Sequence, residues 1–217
     1  MSRIRELFRR NGMWAVFLVY RLAVNRISLV FIRWMTGVPD IYFQGTPRII
    51  GMRYIHVGRN FQCGRGAWIE VIEKPDEDEG STPRLSIGDN VVASEYLHVA
   101  AVNGVRIGDN VLIGSGVLIT DHAHGRYGRT QGDLPATPPG DRALSSKGKV
   151  TIGRNVWIAD GVKILPGVTI GEGSIIGANS VVAEDVPSNS IYTSGGAGRI
   201  VKVFNYDRHE WHTPPNE

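Results

Sequence analysis

Residues 149–184 read KVTIGRNVWIADGVKILPGVTIGEGSIIGANSVVAE, and in this stretch an aliphatic residue returns at every sixth position. The repeated positions are Ile152, Ile158, Ile164, Ile170, Ile176 and Val182. A period of six matches neither the period of an α-helix nor that of an alternating strand. It is typical of a solenoid of short strands joined by tight turns, in which the aliphatic side chains stack inside.

The same spacing recurs upstream, although less regularly. Its positions are Val57, Cys63, Ile69, Ile87, Ala93, Val99, Ile107, Ile113 and Ile119. Glycine is abundant, at 27 of 217 residues, and Asn90, Asn110 and Asn155 lie where corners are expected, since both residue types tolerate positive φ. We therefore predict an all-β fold, a hexapeptide β-helix over residues 39–193. A β-sandwich with coincidental spacing is the alternative.

Two segments interrupt the period. Residues 73–84 are polar and acidic and predict a solvated surface loop. Residues 125–149 are rich in glycine, proline and charge, and they directly follow Asp121-His122-Ala123-His124. Long loops without a periodic pattern are usually functional or disordered, and the neighbouring histidines favour a functional one.

The first 38 residues differ from the rest and predict an amphipathic helical segment. They carry seven arginines and one glutamate, whereas the remainder has 17 basic and 20 acidic residues, so nothing indicates nucleic-acid binding. The uninterrupted apolar run, Met13 to Tyr20, is too short to span a membrane. Two interpretations stay open: a helix lying in a membrane interface, and a helix packed on the protein's own body.

The remaining features set the expected compartment. Cys63 is the single cysteine, which excludes an internal disulfide and predicts a small buried side chain. We expect a cytoplasmic protein, with a peripheral contact at the inner face of the plasma membrane if residues 1–38 bind lipid. Residues 194–217 form a C-terminal segment, in which residues 200–211 predict a short strand or helix.

His122 and His124 are the candidate catalytic residues. A neutral imidazole is the usual side chain for taking a proton from a hydroxyl group near neutral pH, and Asp121 could orient such a ring. Two histidines beside a carboxylate also resemble metal ligands. A third ligand is not evident, and we expect no metal.

The hexads, the histidine pair before a long loop, and the segment GRNVWIADGVKILPGVTIG at residues 153–171 resemble the hexapeptide-repeat acyltransferases. The most similar branch is that of the maltose and galactoside O-acetyltransferases, with their relatives in surface-polysaccharide synthesis. The resemblance covers about residues 50–203. It implies a left-handed parallel β-helix with three hexads per coil, a homotrimer, and active sites between subunits that take acetyl-CoA as acyl donor.

The resemblance also implies residue roles. His124 is the sixth residue of the hexad that begins at Ile119, where the family has its catalytic histidine, so His124 is the expected general base and His122 the alternative. The residues expected to contact coenzyme A are Trp157, Ala178, Arg199 and Lys202. The family's asparagine that positions the acceptor falls on Ser94, which indicates a different acceptor.

The expected function is acetyl transfer from acetyl-CoA to a hydroxyl of a sugar or lipid-linked glycan precursor. One alternative is N-acetylation of an amino sugar nucleotide, because the same base could serve an amine. A metalloenzyme of the γ-carbonic anhydrase type shares the solenoid but needs three histidine ligands. A non-catalytic scaffold with structural histidines is the fourth hypothesis.

Overall fold

Short parallel strands, three to a coil, form the body of the chain. The computed structural model describes residues 2–73, 84–126, 137–195, 199–205 and 210–212. The first three coils contain the strands β1 (Tyr42–Phe43), β2 (Arg48–Ile50), β3 (Ile55–Val57), β4 (Gln62–Cys63), β5 (Trp68–Val71), β6 (Leu85–Ile87), β7 (Val92–Ala93), β8 (His98–Ala101) and β9 (Val105–Ile107).

The later coils continue the same path around a long excursion. The fourth coil and its excursion contain β10 (Leu112–Ile113), β11 (Leu118–Thr120), β12 (Ala123–His124), β13 (Leu144–Ser145) and β14 (Val150–Ile152). The strands that follow are β15 (Trp157–Ile158), β16 (Lys163–Ile164), β17 (Thr169–Ile170), β18 (Ile175–Ile176), β19 (Val181–Val182), β20 (Ser190–Thr193), β21 (Arg199–Asn205) and β22 (Glu210–His212).

The strands stack into the three faces of a prism. Face A has the order β1-β4-β7-β10-β15-β18-β20, face B the order β2-β5-β8-β11-β16-β19, and face C the order β3-β6-β9-β14-β17. The pairing between coils is parallel, and only β21 and β22 extend face A in antiparallel fashion. The predicted β-helix is therefore present, and where residues 200–211 are described, at 200–205 and 210–211, they form strands.

The hexad positions form the interior. Ile158, Ile164, Ile170, Ile176 and Val182 are fully buried, and Ile152 is 1% exposed. The interior excludes water from one aliphatic layer per strand, which is the main stabilising term in a solenoid. Cys63 is buried among them, as expected for a small apolar side chain.

Asparagine corners hold one edge of the prism. Asn60, Asn90, Asn110 and Asn155 all have φ between 53° and 56°. The side-chain amides of Asn60, Asn90 and Asn110 each donate to the side-chain oxygen of the asparagine in the next coil, at 3.1 to 3.2 Å. The predicted role of asparagine in positive-φ corners is confirmed, and the ladder adds a contact between coils.

Two helices precede the first coil. They are α1 (Ser2–Asn11) and α2 (Trp14–Thr36), and α2 ends at Gly37, which has φ 69°. Leu29 and Ile32 of α2 are buried with Ile41 and Phe43, so one stripe of α2 covers the open end of the prism. The 23 residues of α2 are also long enough and apolar enough to cross a membrane. The uninterrupted apolar run from Met13 to Tyr20 did not indicate this, because arginines divide the rest of the helix.

Both interruptions of the period leave the prism at the same corner. Residues 73–84 connect face B to face C in the second coil, and residues 121–149 do so in the fourth. We call this edge the B–C corner. Residues 74–83 and 127–136 lie outside the described part of the chain. The corner brings the two histidines to the end of a face B strand, where the chain departs from the prism.

Candidate active site

A buried carboxylate anchors the long excursion. Asp121 follows β11 and is fully buried. Its carboxylate accepts hydrogen bonds from the backbone N–H groups of Val102 at 2.8 Å, Asn103 at 2.7 Å and Gly104 at 2.5 Å. These residues form the B–C corner of the preceding coil, so Asp121 ties the two coils together.

The same contacts keep Asp121 ionised. Burial is the largest single influence and favours the neutral acid, but the hydrogen bonds from His122 and from the three backbone N–H groups together outweigh it. The pKa of Asp121 therefore lies below its ordinary value. At neutral pH the corner holds a fixed negative charge in a place without solvent.

His122 is oriented by this charge. Its Nδ1 atom lies 3.1 Å from Oδ1 of Asp121 and 3.3 Å from the Thr120 hydroxyl oxygen. The Thr120 hydroxyl donates to the carbonyl oxygen of His122 at 3.2 Å. An Nδ1–H donor facing the carboxylate satisfies these contacts and leaves the lone pair on Nε2. The arrangement is that of a general base with a carboxylate behind it.

The imidazole lines a cavity of about 790 Å³ at the B–C corner. The cavity extends along the prism edge, because its wall includes Asn103 of the third coil and Pro166 of the fifth. The lining residues are Asn103, Thr120, His122, Ala123, Gly125, Arg126, Leu144, Ser145, Ser146, Lys147, Leu165, Pro166 and Ala183. Arg126 and Lys147 bring positive charge to the wall, which suits a ligand that carries phosphate groups.

A short hairpin forms one side of this site. His124 lies in β12, which pairs antiparallel with β13 so that His124 faces Leu144 in register. The side chain of His124 is exposed, whereas only 11% of the His122 side chain is exposed. Ser145 donates its hydroxyl to the carbonyl oxygen of Gly125 and closes the hairpin. The structure thus separates the two histidines into one that lines the cavity and one on the outer hairpin.

The residues expected to contact coenzyme A lie elsewhere on the chain. Trp157 begins β15 on face A and is 48% exposed, and Ala178 lies exposed in the turn between β18 and β19. In a triangular prism face A is opposite the B–C corner, so one chain does not bring Trp157 to the cavity. Arg199 and Lys202 belong to β21, opposite Thr193 and Ile191, and their side chains lie outside the described part of the chain.

Several residues of the cavity were missed by sequence reasoning. Asn103 and the neighbouring N–H groups are the clearest case, because they hold Asp121. A signal exists: Val99 and Ile107 are eight residues apart instead of six. The two extra residues widen the corner and turn its N–H groups toward Asp121. Lys147 and Pro166 had no comparable signal.

The described residues include no group of three or more histidine, cysteine or carboxylate side chains that could hold a metal ion. At the B–C corner the Asp121 carboxylate faces three N–H donors and one imidazole. Those contacts use its oxygens as acceptors of hydrogen bonds. The carboxylate of Asp121 is therefore already occupied by hydrogen-bond donors, of which His122 is one.

Comparison with known proteins agrees with the geometry. The family model described as bacterial transferase hexapeptide (six repeats) matches residues 149–184. WbbJ of Escherichia coli (strain K12), named for O-acetyl transfer in lipopolysaccharide biosynthesis, is 35% identical over 158 residues, which cover 72% of this chain and 76% of WbbJ. Galactoside O-acetyltransferase of the same organism is 36% identical over 149 residues, covering 67% of this chain and 66% of that protein.

A solved structure shares the fold at lower identity. The N-acyltransferase AntD from Bacillus cereus, in complex with an amino sugar nucleotide and coenzyme A, superimposes with a TM-score of 0.59 at 20% identity and covers 79% of this chain and 87% of AntD. The body of the chain is thus a left-handed parallel β-helix of the acyltransferase type. On its repeats and on its identity to WbbJ, the chain belongs to the hexapeptide-repeat acetyltransferases.

Proposed function

We propose that this protein transfers the acetyl group of acetyl-CoA to a hydroxyl of a sugar in a surface-polysaccharide or lipopolysaccharide precursor, with His122 as general base. The observation that carries the proposal is the buried Asp121–His122 pair on the wall of the cavity. The similarity to WbbJ, a protein named for O-acetyl transfer in lipopolysaccharide biosynthesis, supports the reaction and the class of acceptor.

The proposed reaction needs one proton carrier. Nε2 of His122 takes the proton of the sugar hydroxyl while its oxygen attacks the thioester carbonyl. The tetrahedral intermediate collapses to the acetyl ester, and the imidazolium returns the proton to the departing thiolate of coenzyme A. Asp121 stabilises the imidazolium between these steps. A positioned general base contributes about 10²–10⁴ in rate.

The choice between the histidines is testable. The family resemblance points to His124, whereas the contact with Asp121 and the place on the cavity wall favour His122. We expect His122→Ala to lower kcat at least about a hundredfold and His124→Ala to lower it much less. The assay is release of free thiol from acetyl-CoA in a screen of sugar acceptors, with coenzyme A binding measured by calorimetry for both variants. The reverse pattern would assign the base to His124.

The same screen separates the alternatives. Turnover with amino sugar nucleotides but not with hydroxyl acceptors would indicate N-acetylation. Stoichiometric zinc in the purified protein would favour the hypothesis of a metalloenzyme of the γ-carbonic anhydrase type. Absence of coenzyme A binding in the wild-type protein would favour the hypothesis of a non-catalytic scaffold.

We further propose a homotrimer in which face A of one copy meets the B–C corner of the next. An exposed column on face A supports this, because Tyr42, Val92, Leu112 and Trp157 lie in register on successive coils, with only Gln62 between them, and are 38–48% exposed. Such packing would bring Trp157 to a neighbouring cavity. Leu112→Glu should yield a monomer without turnover, as measured by analytical ultracentrifugation and the thiol assay. A wild-type monomer with full activity would contradict the arrangement.

A cytoplasmic location with a peripheral membrane contact through residues 1–38 completes the proposal. The single buried cysteine and the arginine-rich helical segment support it. Cell fractionation tests the location: the protein should appear in the plasma-membrane fraction.

A further inference from the structure

The outward side of α2 is a broad apolar surface without a charge. At 100° per residue, its members fall within one arc of the helix. They are Val16, Val19, Tyr20, Ala23, Ile27, Val30, Phe31 and Trp34. Ile27, Val30 and Trp34 are 71%, 67% and 75% exposed. Large side chains exposed to this degree, and adjacent to one another, mark an interaction surface. We call it the α2 apolar face.

The opposite side of α2 is fixed to the prism. Leu29 and Ile32 are buried against the first coil, and Asn25 donates its amide to the carbonyl oxygen of Phe43 at 3.3 Å. Arg33 donates to the carbonyl oxygen of Ile41 at 3.1 Å. These contacts run along one stripe of the helix, so the α2 apolar face points away from the end of the prism.

Positive charge borders the α2 apolar face. Arg26 and Arg33 lie next to one edge of the arc, and on the other side Arg21 lies beyond Phe17, Val24 and Met35; all three arginines are exposed. The helix contains no acidic residue. An apolar strip with tryptophan and tyrosine, bordered by arginine, is the pattern of a helix that lies in the plane of an anionic lipid surface.

We propose that α2 lies in the plane of an anionic bilayer, with the α2 apolar face in the acyl boundary and the prism standing on the membrane by its first coil. The arginines then meet lipid phosphates. A closed trimer with prism axes parallel to its three-fold axis would present three such faces on one side, which strengthens binding by multivalency.

Crossing the bilayer and pairing with a second copy fit the same residues less well. A transmembrane α2 would place Arg21 and Arg26 in the hydrocarbon and would pull Leu29 and Ile32 out of the core. A second copy of α2 would set arginine borders against each other with no carboxylate to pair them. Lipid phosphates supply the missing negative charge.

This orientation has a consequence for the substrate, and the consequence rests on the proposed function. His122 lies three coils above β1, a distance of about 14 Å at the spacing of paired strands, and the helix adds about 10 Å of its own diameter. The cavity therefore stands about 25 Å above the acyl boundary. A lipid-linked oligosaccharide, acetylated on a sugar away from its lipid end, reaches the cavity, and a lipid-linked monosaccharide does not.

Binding to vesicles tests the surface in the full-length protein. The wild-type protein should sediment with vesicles of one part phosphatidylglycerol to two parts phosphatidylcholine. The affinity of Val30→Glu for the same vesicles should be at least about tenfold lower. Thr169→Glu is the matched control, because it adds the same charge to an exposed site on face C. Arg26→Gln should weaken binding about fivefold and only to anionic vesicles. Equal binding of Val30→Glu and the wild type would overturn the proposal.

The depth of the helix distinguishes the two membrane modes. Burial raises the pKa of the Cys63 thiol to about 12, so a fluorophore reacts selectively with an introduced exposed cysteine. Labels at Val16→Cys, Ala23→Cys and Val30→Cys should all shift to the blue with vesicles and be quenched at one shallow depth, while a label at Thr169→Cys stays unchanged. A graded depth along α2 would show a transmembrane helix, and no shift would show no insertion; either result overturns the in-plane helix.

The vesicle experiments use no acetyl-CoA, and the thiol assay uses no vesicles. A protein that binds lipid but fails to turn over would contradict the proposed function alone. A protein that acetylates soluble sugars but ignores vesicles would contradict the membrane orientation alone. If the protein both binds vesicles and acetylates sugars, it should acetylate a lipid-linked acceptor in vesicles only when the glycan of that acceptor is an oligosaccharide.

Discussion

Nδ1 of His122 lies 3.1 Å from the carboxylate of Asp121, and that carboxylate is held by three backbone N–H groups of the coil below. The imidazole is therefore oriented by the stacking of two coils. The orientation of the imidazole therefore depends on the register between the two coils as well as on the loop that carries His122.

Asp121→Asn should lower kcat at least about a hundredfold, because the amide supports the wrong tautomer of His122 and no longer stabilises the imidazolium. The measurement is turnover in the thiol assay across pH. Asp109→Asn is a matched control, since Asp109 also accepts a backbone N–H, from Asp89 at 2.8 Å, but lies on an exposed corner. Full activity in Asp121→Asn would mean that His122 works without its carboxylate.

The stability of the protein toward acid should depend on Asp121. Its pKa is lower in the folded chain than in the unfolded chain, so the folded state binds the proton less well. The stabilisation is complete above the ordinary aspartate pKa of about 3.9 and is lost as the pH falls from there through the lower folded value. The free energy of unfolding, measured with urea between neutral and strongly acidic pH, should fall more steeply with decreasing pH in the wild type than in Asp121→Asn. Parallel curves for the two proteins would contradict this contribution.

The corner asparagines allow a test of backbone conformation against side-chain contact. Asn110 has φ 56° and joins the amide ladder to Asn90 and Asn155. Asn110→Ala loses the ladder and strains the backbone, and should cost about 1–2 kcal/mol in the free energy of unfolding. Asn110→Gly loses the ladder but tolerates the φ, so it should cost less. Chemical denaturation of both variants checks the order, and equal losses would show that the ladder alone matters.

The hexads show how far the sequence determines this fold. The interior positions and the asparagine corners follow from a period of six that the sequence displays directly. Strands β1 and β2 precede the clear repeats, and they pair with β4 and β5 without the full hexad pattern. Stacking on a formed coil compensates for the weaker local signal, so the first coil was harder to predict.

The site was predictable only in part for a related reason. The sequence indicated a catalytic histidine, and the family resemblance favoured His124 with His122 as the alternative, but the choice between them depends on where each ring lies. That position is set by the N–H groups of residues 102–104, which are 17 to 19 residues away from Asp121 along the chain. The spacing of residues along the sequence does not show which side chain the backbone N–H groups of a distant corner will bind. The outward direction of the α2 apolar face likewise depends on the contact of Leu29 and Ile32 with the first coil.

The cationic wall of the cavity provides the last prediction. Lys147 lines the cavity two residues after β13, and a lysine ammonium binds phosphate as a compact charge. Lys147→Ala should raise the KM for a phosphate-bearing substrate several-fold and leave kcat nearly unchanged, because the group binds the substrate and takes no part in proton transfer.

Lys149→Ala is the matched control for this change. Lys149 is also exposed and lies only two residues further along the chain, but it is not part of the cavity wall. Steady-state kinetics with acetyl-CoA and acceptor varied in turn identify which substrate carries the phosphate that Lys147 meets. A higher KM for acetyl-CoA places the coenzyme along the B–C corner, and a higher KM for the acceptor places the glycan phosphate there. Identical KM values for both substrates in Lys147→Ala and the wild type would remove Lys147 from the binding site.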